Sequence, residues 1–285
     1  MGKGNKFLLV GLSAALWCSG VYASESSTPP VEKLPLYEYG IVGLGATIPH
    51  YTGSDEYQVY AFPAPYFVYR GEVLKADREG IRGIFWQSKK VEMDISMNGN
   101  PPAGDNKARE GMDDLDALGE IGPAVNFYFY EYGERDSLFL QADLRAAFSF
   151  DFEDGLDMGY EGYVSDLTLI FRDSRIFKEE KIRFHLSTGI RFADAEMHSY
   201  FYDVARDEVT VNRQYYKADG GYSGLQLSGS ITKELTSSFW VSAYGRWINS
   251  SGAAFEDSPL VETHNNYIIG AMLVWKWGES ESLEP

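Results

Sequence analysis

Residues 136–152 alternate with a period of two. Leu138, Leu140, Ala142, Leu144, Ala146, Phe148, Phe150 and Phe152 fall on one side, and Gln141, Asp143, Arg145, Ser149 and Asp151 on the other. Side chains of a strand point alternately to opposite faces, so one face is wholly apolar and the other mostly charged. Residues 181–192 repeat the pattern: Ile182, Phe184, Leu186, Ile190 and Phe192 stand against Lys181, Arg183, His185, Ser187 and Arg191. Alternation alone also suits a soluble sandwich. Length separates the two, because a soluble strand is usually about 5–6 residues and a tilted membrane strand needs about 9–11. The expected fold class is therefore all-β, a transmembrane antiparallel up-and-down β-barrel.

The same reading gives twelve candidate strands: 38–49, 58–69, 72–77, 80–87, 90–98, 119–131, 136–152, 158–172, 180–193, 216–234, 238–249 and 264–277. Connections after the even-numbered strands are short. Those after strands one, five, nine and eleven are long, at 50–57, 99–118, 194–215 and 250–263. Outer-membrane barrels have short periplasmic turns and long outer loops, and an even strand count returns both termini to the periplasm. Residues 72–87 form one kinked strand in the alternative count of ten, where a bulge replaces the Asp77-Gly80 turn.

The N-terminus fits export. Lys3 and Lys6 precede an apolar stretch, Phe7 to Trp17, too short to span a bilayer. Val21-Tyr22-Ala23 offers small residues for cleavage, which predicts a signal peptide over 1–23, a periplasmic lead-in over 24–37, a barrel over 38–277 and an acidic tail over 278–285. Cys18, the single cysteine, leaves with the signal, so no disulfide is expected. Twenty Tyr, 17 Phe and 6 Trp suit interfacial girdles. A net charge of −17 argues against nucleic acid as a partner and fits acidic loops. Outer-membrane lipid and lipopolysaccharide are the expected surroundings, in the cell outer membrane of a Gram-negative bacterium.

Several turn-rich stretches go beyond strand patterning. They run in order: Ile48-Pro49-His50-Tyr51-Thr52-Gly53-Ser54-Asp55, then Pro63-Ala64-Pro65, then Asp114 to Pro123. Ser199-Tyr200-Phe201-Tyr202-Asp203-Val204, Tyr216 to Ser223 and Ser258-Pro259-Leu260-Val261 complete the set. Each alone is turn chemistry. Together, over almost the whole mature chain, they resemble the MipA/OmpV family of Gram-negative outer-membrane proteins. The resemblance implies a scaffold that links a murein transglycosylase to a murein synthase, and it carries over no catalytic residue. A narrow channel for small solutes and a surface adhesin acting through the long outer loops are the alternatives.

Two residue sets follow from the strand phase. A lumen network is expected from Glu92, Asp94, Asp143, Arg145, Arg183, His185 and Arg191, with Asp166, Arg172, Lys181 and Arg246 on the same inward faces. Opposite charges across a narrow barrel neutralise one another, so the lumen is expected to be plugged and structural. A periplasmic contact for an acidic partner is expected at Lys89, Lys90, Arg135, Arg175 and Lys178, in the short turns. No enzyme is expected. His185-Leu186-Ser187 places a base and a hydroxyl two apart on one face, as in outer-membrane phospholipase A, but that face is the lumen side and no third orienting residue is evident. The remaining histidines are scattered, the acidic loop around Asp105 to Asp116 has no EF-hand spacing, and no metal or cofactor is expected.

Overall fold

The computed structural model describes residues 35–70, 74–77, 80–83, 86–131, 137–151, 157–173, 177 and 179–283. The strands are β1 (Tyr37–Pro49), β2 (Tyr57–Arg70), β3 (Leu74–Asp77), β4 (Gly80–Gly83), β5 (Trp86–Gln87), β6 (Val91–Asn100) and β7 (Ala117–Glu131). They continue with β8 (Ser137–Asp151), β9 (Asp157–Asp173), β10 (Ile182–Ala193), β11 (Gly221–Thr236), β12 (Phe239–Asn249) and β13 (Asn265–Glu279). One helix, α1 (Ala195–Tyr202), lies between β10 and β11. All thirteen strands belong to one sheet in the order β4-β3-β2-β1-β13-β12-β11-β10-β9-β8-β7-β6-β5. Every neighbouring pair is antiparallel, and β1 pairs with β13, so the first and last strands are neighbours.

Within the stretch expected as one strand over 80–87, the described residues form β4 and β5, which are the two edges of the sheet, and residues 84–85 between them lie outside the described residues. The sheet is therefore not closed by strand pairing among the described residues. Gly80 and Gly83 weaken strand propensity there. β4 lies beside β6 as well as β3, so the edges approach each other. The strand expected over 216–234 begins at Gly221 instead, because Tyr216 bridges Val204 in the preceding loop.

The expected inside–outside phase holds. Leu144, Ile269 and Leu273 are 52%, 67% and 49% exposed, whereas Asp94, Asp143 and Arg145 are 2%, 6% and 3% exposed. This inverts the soluble arrangement: the outer face is apolar and the inner face is ionised. Outward aromatics gather at both rims. Tyr37, Tyr39, Phe67, Phe127, Phe129, Trp275 and Trp277 mark the short-turn end, and Tyr57, Tyr160, Tyr163, Phe192 and Tyr267 the long-loop end. Such girdles suit the two interfaces of a bilayer.

The sheet curls until strands three apart meet through their inner side chains, as Arg191 of β10 does with Glu120 of β7 at 2.6 Å. The interior has two walls. The one from β1, β2, β12 and β13 is mainly apolar, with Val42, Ala64, Tyr66, Val68, Trp240 and Val274 packed together, though Glu38 is buried on it and Arg246 of β12 reaches the interior. The other, from β6 to β10, carries most of the charges.

The described part of the expected tail over 278–285 lies against the start of β1. β13 runs to Glu279, Leu36 donates its N–H to the Ser282 carbonyl at 2.8 Å, and Pro35 bridges Leu283. Residues 1–34, which include the expected signal peptide, lie outside the described residues.

Candidate functional site

Alternation on four adjacent strands builds the charged interior. Glu120 on β7, Asp143 and Arg145 on β8, Asp166 on β9 and Arg191 on β10 all point inward. Arg145 lies at the centre. Its Nε donates to Glu120 Oε2 at 2.9 Å and its Nη1 to Ser96 Oγ at 3.0 Å, and the guanidinium also pairs with Asp143 and Asp166. Arg191 adds a two-oxygen contact to Glu120 at 2.6 Å and lies 3.7 Å from Asp166. Three carboxylates thus share two guanidiniums. Gly122 helps bring β7 close: a Cβ there would meet the Leu144 carbonyl at 1.9 Å.

The remaining expected lumen residues divide by level. Glu92 and Asp94 are both held by Asn126, at 3.4 and 3.2 Å, and Gln141 donates to the Asn126 oxygen at 2.9 Å. Arg183 stands apart near the short-turn end, 3.5 Å from Glu234. Lys181 is corrected: it precedes β10, its side chain is 61% exposed, and it pairs with Glu234 at the rim and not inside. His185 is buried, as expected, on the same inner face. Glu120 was hidden in the sequence, because Gly119-Glu120-Ile121-Gly122-Pro123 reads as turn chemistry. The inward positions Leu118, Glu120, Ala124 and Asn126 carry the period-two signal that would have found it.

The long loops fold into a lid that was not expected. Its apolar core combines Tyr51, Ala103, Leu115, Met197, Phe201, Tyr202, Val204, Phe255 and Leu260, from four separate loops. The helix α1 anchors it. Asp194 caps the helix, accepting from the Met197 N–H at 2.9 Å, and Asp203 at the other end accepts from Ala218 N at 2.6 Å. Gly162, at φ +110°, lets α1 seat on β9, since a Cβ there would meet Asp194 Oδ1 at 2.3 Å. Tyr202 stacks on Phe255 with centroids 3.7 Å apart and donates its hydroxyl to the Thr52 carbonyl at 2.7 Å. Tyr51 donates to the Leu260 carbonyl at 2.7 Å. Burial pushes the Tyr51 and Tyr202 hydroxyls well above the ordinary tyrosine range, and burial holds His198 below the ordinary histidine value. Arg213 ties the rim together through the carbonyls of Ala108, Glu110 and Glu208.

Between lid and charge network lies a chamber of about 80 Å³, roofed by Met197, Phe201, Tyr202 and Phe255 and reached from below by Arg191 and Arg246. Among the described residues, no three His, Cys, Asp or Glu side chains gather as a metal site.

Of the expected periplasmic set, Lys89 and Lys90 are exposed in the turn between β5 and β6. Arg135, Arg175 and Lys178 lie outside the described residues. Ser187 Oγ bonds Ser228 Oγ at 2.7 Å, and neither ring nitrogen of His185 meets a hydrogen-bond partner among the described residues.

An antiparallel sheet with an apolar outer face, aromatic rims and an ionised interior defines a protein whose solvent is a bilayer. More particularly, the chain belongs to the MltA-interacting protein MipA family, which it matches over residues 42–277. Among solved structures it is similar to an outer membrane channel from Pseudomonas putida F1, at 10% identity and a TM-score of 0.35, covering 88% of this chain and 100% of that one. It is also similar to the toluene transporter TbuX of Ralstonia pickettii, at 12% identity and a TM-score of 0.25, covering 85% of this chain and 69% of that one. No curated protein matches.

Proposed function

We propose that this chain forms a closed barrel in the outer membrane of a Gram-negative bacterium and serves as a docking scaffold for murein-remodelling enzymes. β4 and β5 act as one interrupted strand, which gives twelve staves and closes the sheet. Family membership carries the scaffold reading: the family is named for interaction with a murein transglycosylase, and a murein synthase is the second partner. The filled interior supports it. A lid with its own apolar core covers one end, and paired charges occupy the space below, so this barrel is suited to displaying surfaces and not to passing solutes.

Lys89 and Lys90 are exposed cations of the short-turn face, with no ion pair among the described residues of the kind Lys181 makes with Glu234, and an acidic partner would meet them. Reversing both to Glu should weaken capture of a murein transglycosylase or synthase by the detergent-solubilised barrel and leave folding unchanged. Raising salt should weaken wild-type capture too, because exposed charges are screened within about 10 Å at 0.1 M. Absence of capture at low salt, together with steady conductance across planar bilayers, would replace the scaffold with a channel.

This reading gives the chain no hydrolytic role. His185 and Ser187 face the interior, away from lipid, and Ser187 is bonded to another serine. Purified protein should release no fatty acid from phospholipid, with or without calcium. Turnover that disappears in either His185→Ala or Ser187→Ala would make it an enzyme.

A further inference from the structure

Three inner residues fall in one row across neighbouring strands. His185 on β10 stands opposite Ser230 on β11, and Ser230 stands opposite Tyr244 on β12. His185 and Ser230 are 5% and 7% exposed. Both His185 ring nitrogens, Ser230 Oγ and the Tyr244 hydroxyl are buried without a hydrogen-bond partner among the described residues. The rows on either side behave differently. One step toward the lid, Ser187 and Ser228 bond each other at 2.7 Å, and one step toward the short turns, Thr232 and Ser242 do the same at 2.7 Å. Leaving a buried polar group unsatisfied is costly. A contiguous set of such groups, between two satisfied rows, is built for something that completes it.

Charge decides what that is. Arg172 on β9 stands opposite His185. Arg246 lies two residues from Tyr244 on the same face of β12, its guanidinium 5.6 Å from the Tyr244 ring centroid. The charges acting on His185 are these two cations. Serine and tyrosine hydroxyls and a neutral imidazole N–H can all donate. Arg246 also lines the chamber beneath the lid, which links the row to free space. At about 80 Å³ that chamber is well below a cavity that holds benzene, roughly 150 Å³.

We propose that Arg246, Tyr244, Ser230 and His185 bind a small monovalent anion of halide size inside the barrel. The anion accepts from the two hydroxyls and the imidazole while Arg246 balances its charge. Arg172 adds a second positive field from the opposite side of the row. This site does not depend on the scaffold reading, since it needs no protein partner.

The test uses the full mature barrel in detergent, with bromide replacing gluconate at constant sodium concentration. A ligand that binds only the folded state raises the unfolding midpoint in a saturable way. Bromide should do so, and Tyr244→Phe or Ser230→Ala should each weaken its apparent affinity by about tenfold while leaving the bromide-free midpoint near wild type. Arg246→Gln should abolish the shift. Crystals soaked in bromide should show an anomalous peak within hydrogen-bonding distance of the Tyr244 hydroxyl. A shift that grows without saturating, that is identical in Tyr244→Phe and Ser230→Ala, or that acetate produces and bromide does not, would overturn the proposal.

Discussion

Leu144→Arg should lower the stability of the membrane-folded protein by roughly 2–4 kcal/mol, the range for a cation on the lipid face near the bilayer midplane. Leu144 is 52% exposed on the outer face of β8, opposite Ser165 of β9, so no interior group can solvate the guanidinium. Gln141→Arg is the matched control. Gln141 lies on the same strand, three residues away and on the inner face, where its amide already bonds Asn126. A cation at that position has Glu92 and Asp94 within the same hydrogen-bonded group and should cost much less. Urea-dependent unfolding from lipid vesicles measures both. Equal losses for the two variants would mean that the apolar face of β8 does not face lipid.

That contrast rests on the part of the structure most legible in the sequence. A charge on the lipid face is costly, so the outward positions of β8 and β10 are apolar apart from Thr188, and their inside–outside phase can be read without any knowledge of neighbours. Pairing within the interior was less legible. Arg191 reaches Glu120 across two intervening strands, and only the curl of the sheet brings them together. Glu120 itself sits among glycines and a proline, which locally imitate a turn. The lid was hidden for a different reason. α1 has eight residues, and Met197, Phe201 and Tyr202 bury themselves against loops distant in the chain, so no local period announces a core. β4 lies where glycine dilutes the pattern, and the alternative counts of ten and twelve part there.

Replacing Arg145 with Met should destabilise the barrel by about 3–5 kcal/mol, the cost of breaking a buried ion cluster by removing one partner. The Arg145 side chain is 4% exposed and pairs with Glu120, Asp143 and Asp166. Arg191 continues to neutralise Glu120 and Asp166 in the variant, but no ion pair joins it to Asp143 among the described residues. The Asp143 carboxylate, which loses its guanidinium and keeps the Asp166 N–H as a donor, therefore accounts for much of the loss. Adding Asp143→Asn should restore a large share of it, and the coupling between the two substitutions should exceed what independent sites show, roughly 0.3–0.5 kcal/mol. The same experiment distinguishes a filled interior from a hydrated one. In an open, water-filled lumen the three carboxylates would be solvated and screened, and Arg145→Met would cost less than about 1 kcal/mol, as for an exposed pair. A small loss with no coupling, accompanied by ion conductance in the variant and the wild type alike, would make the charge belt the lining of a pore. A large loss rescued by Asp143→Asn fixes it as the internal brace that keeps the strands in register beneath the lid.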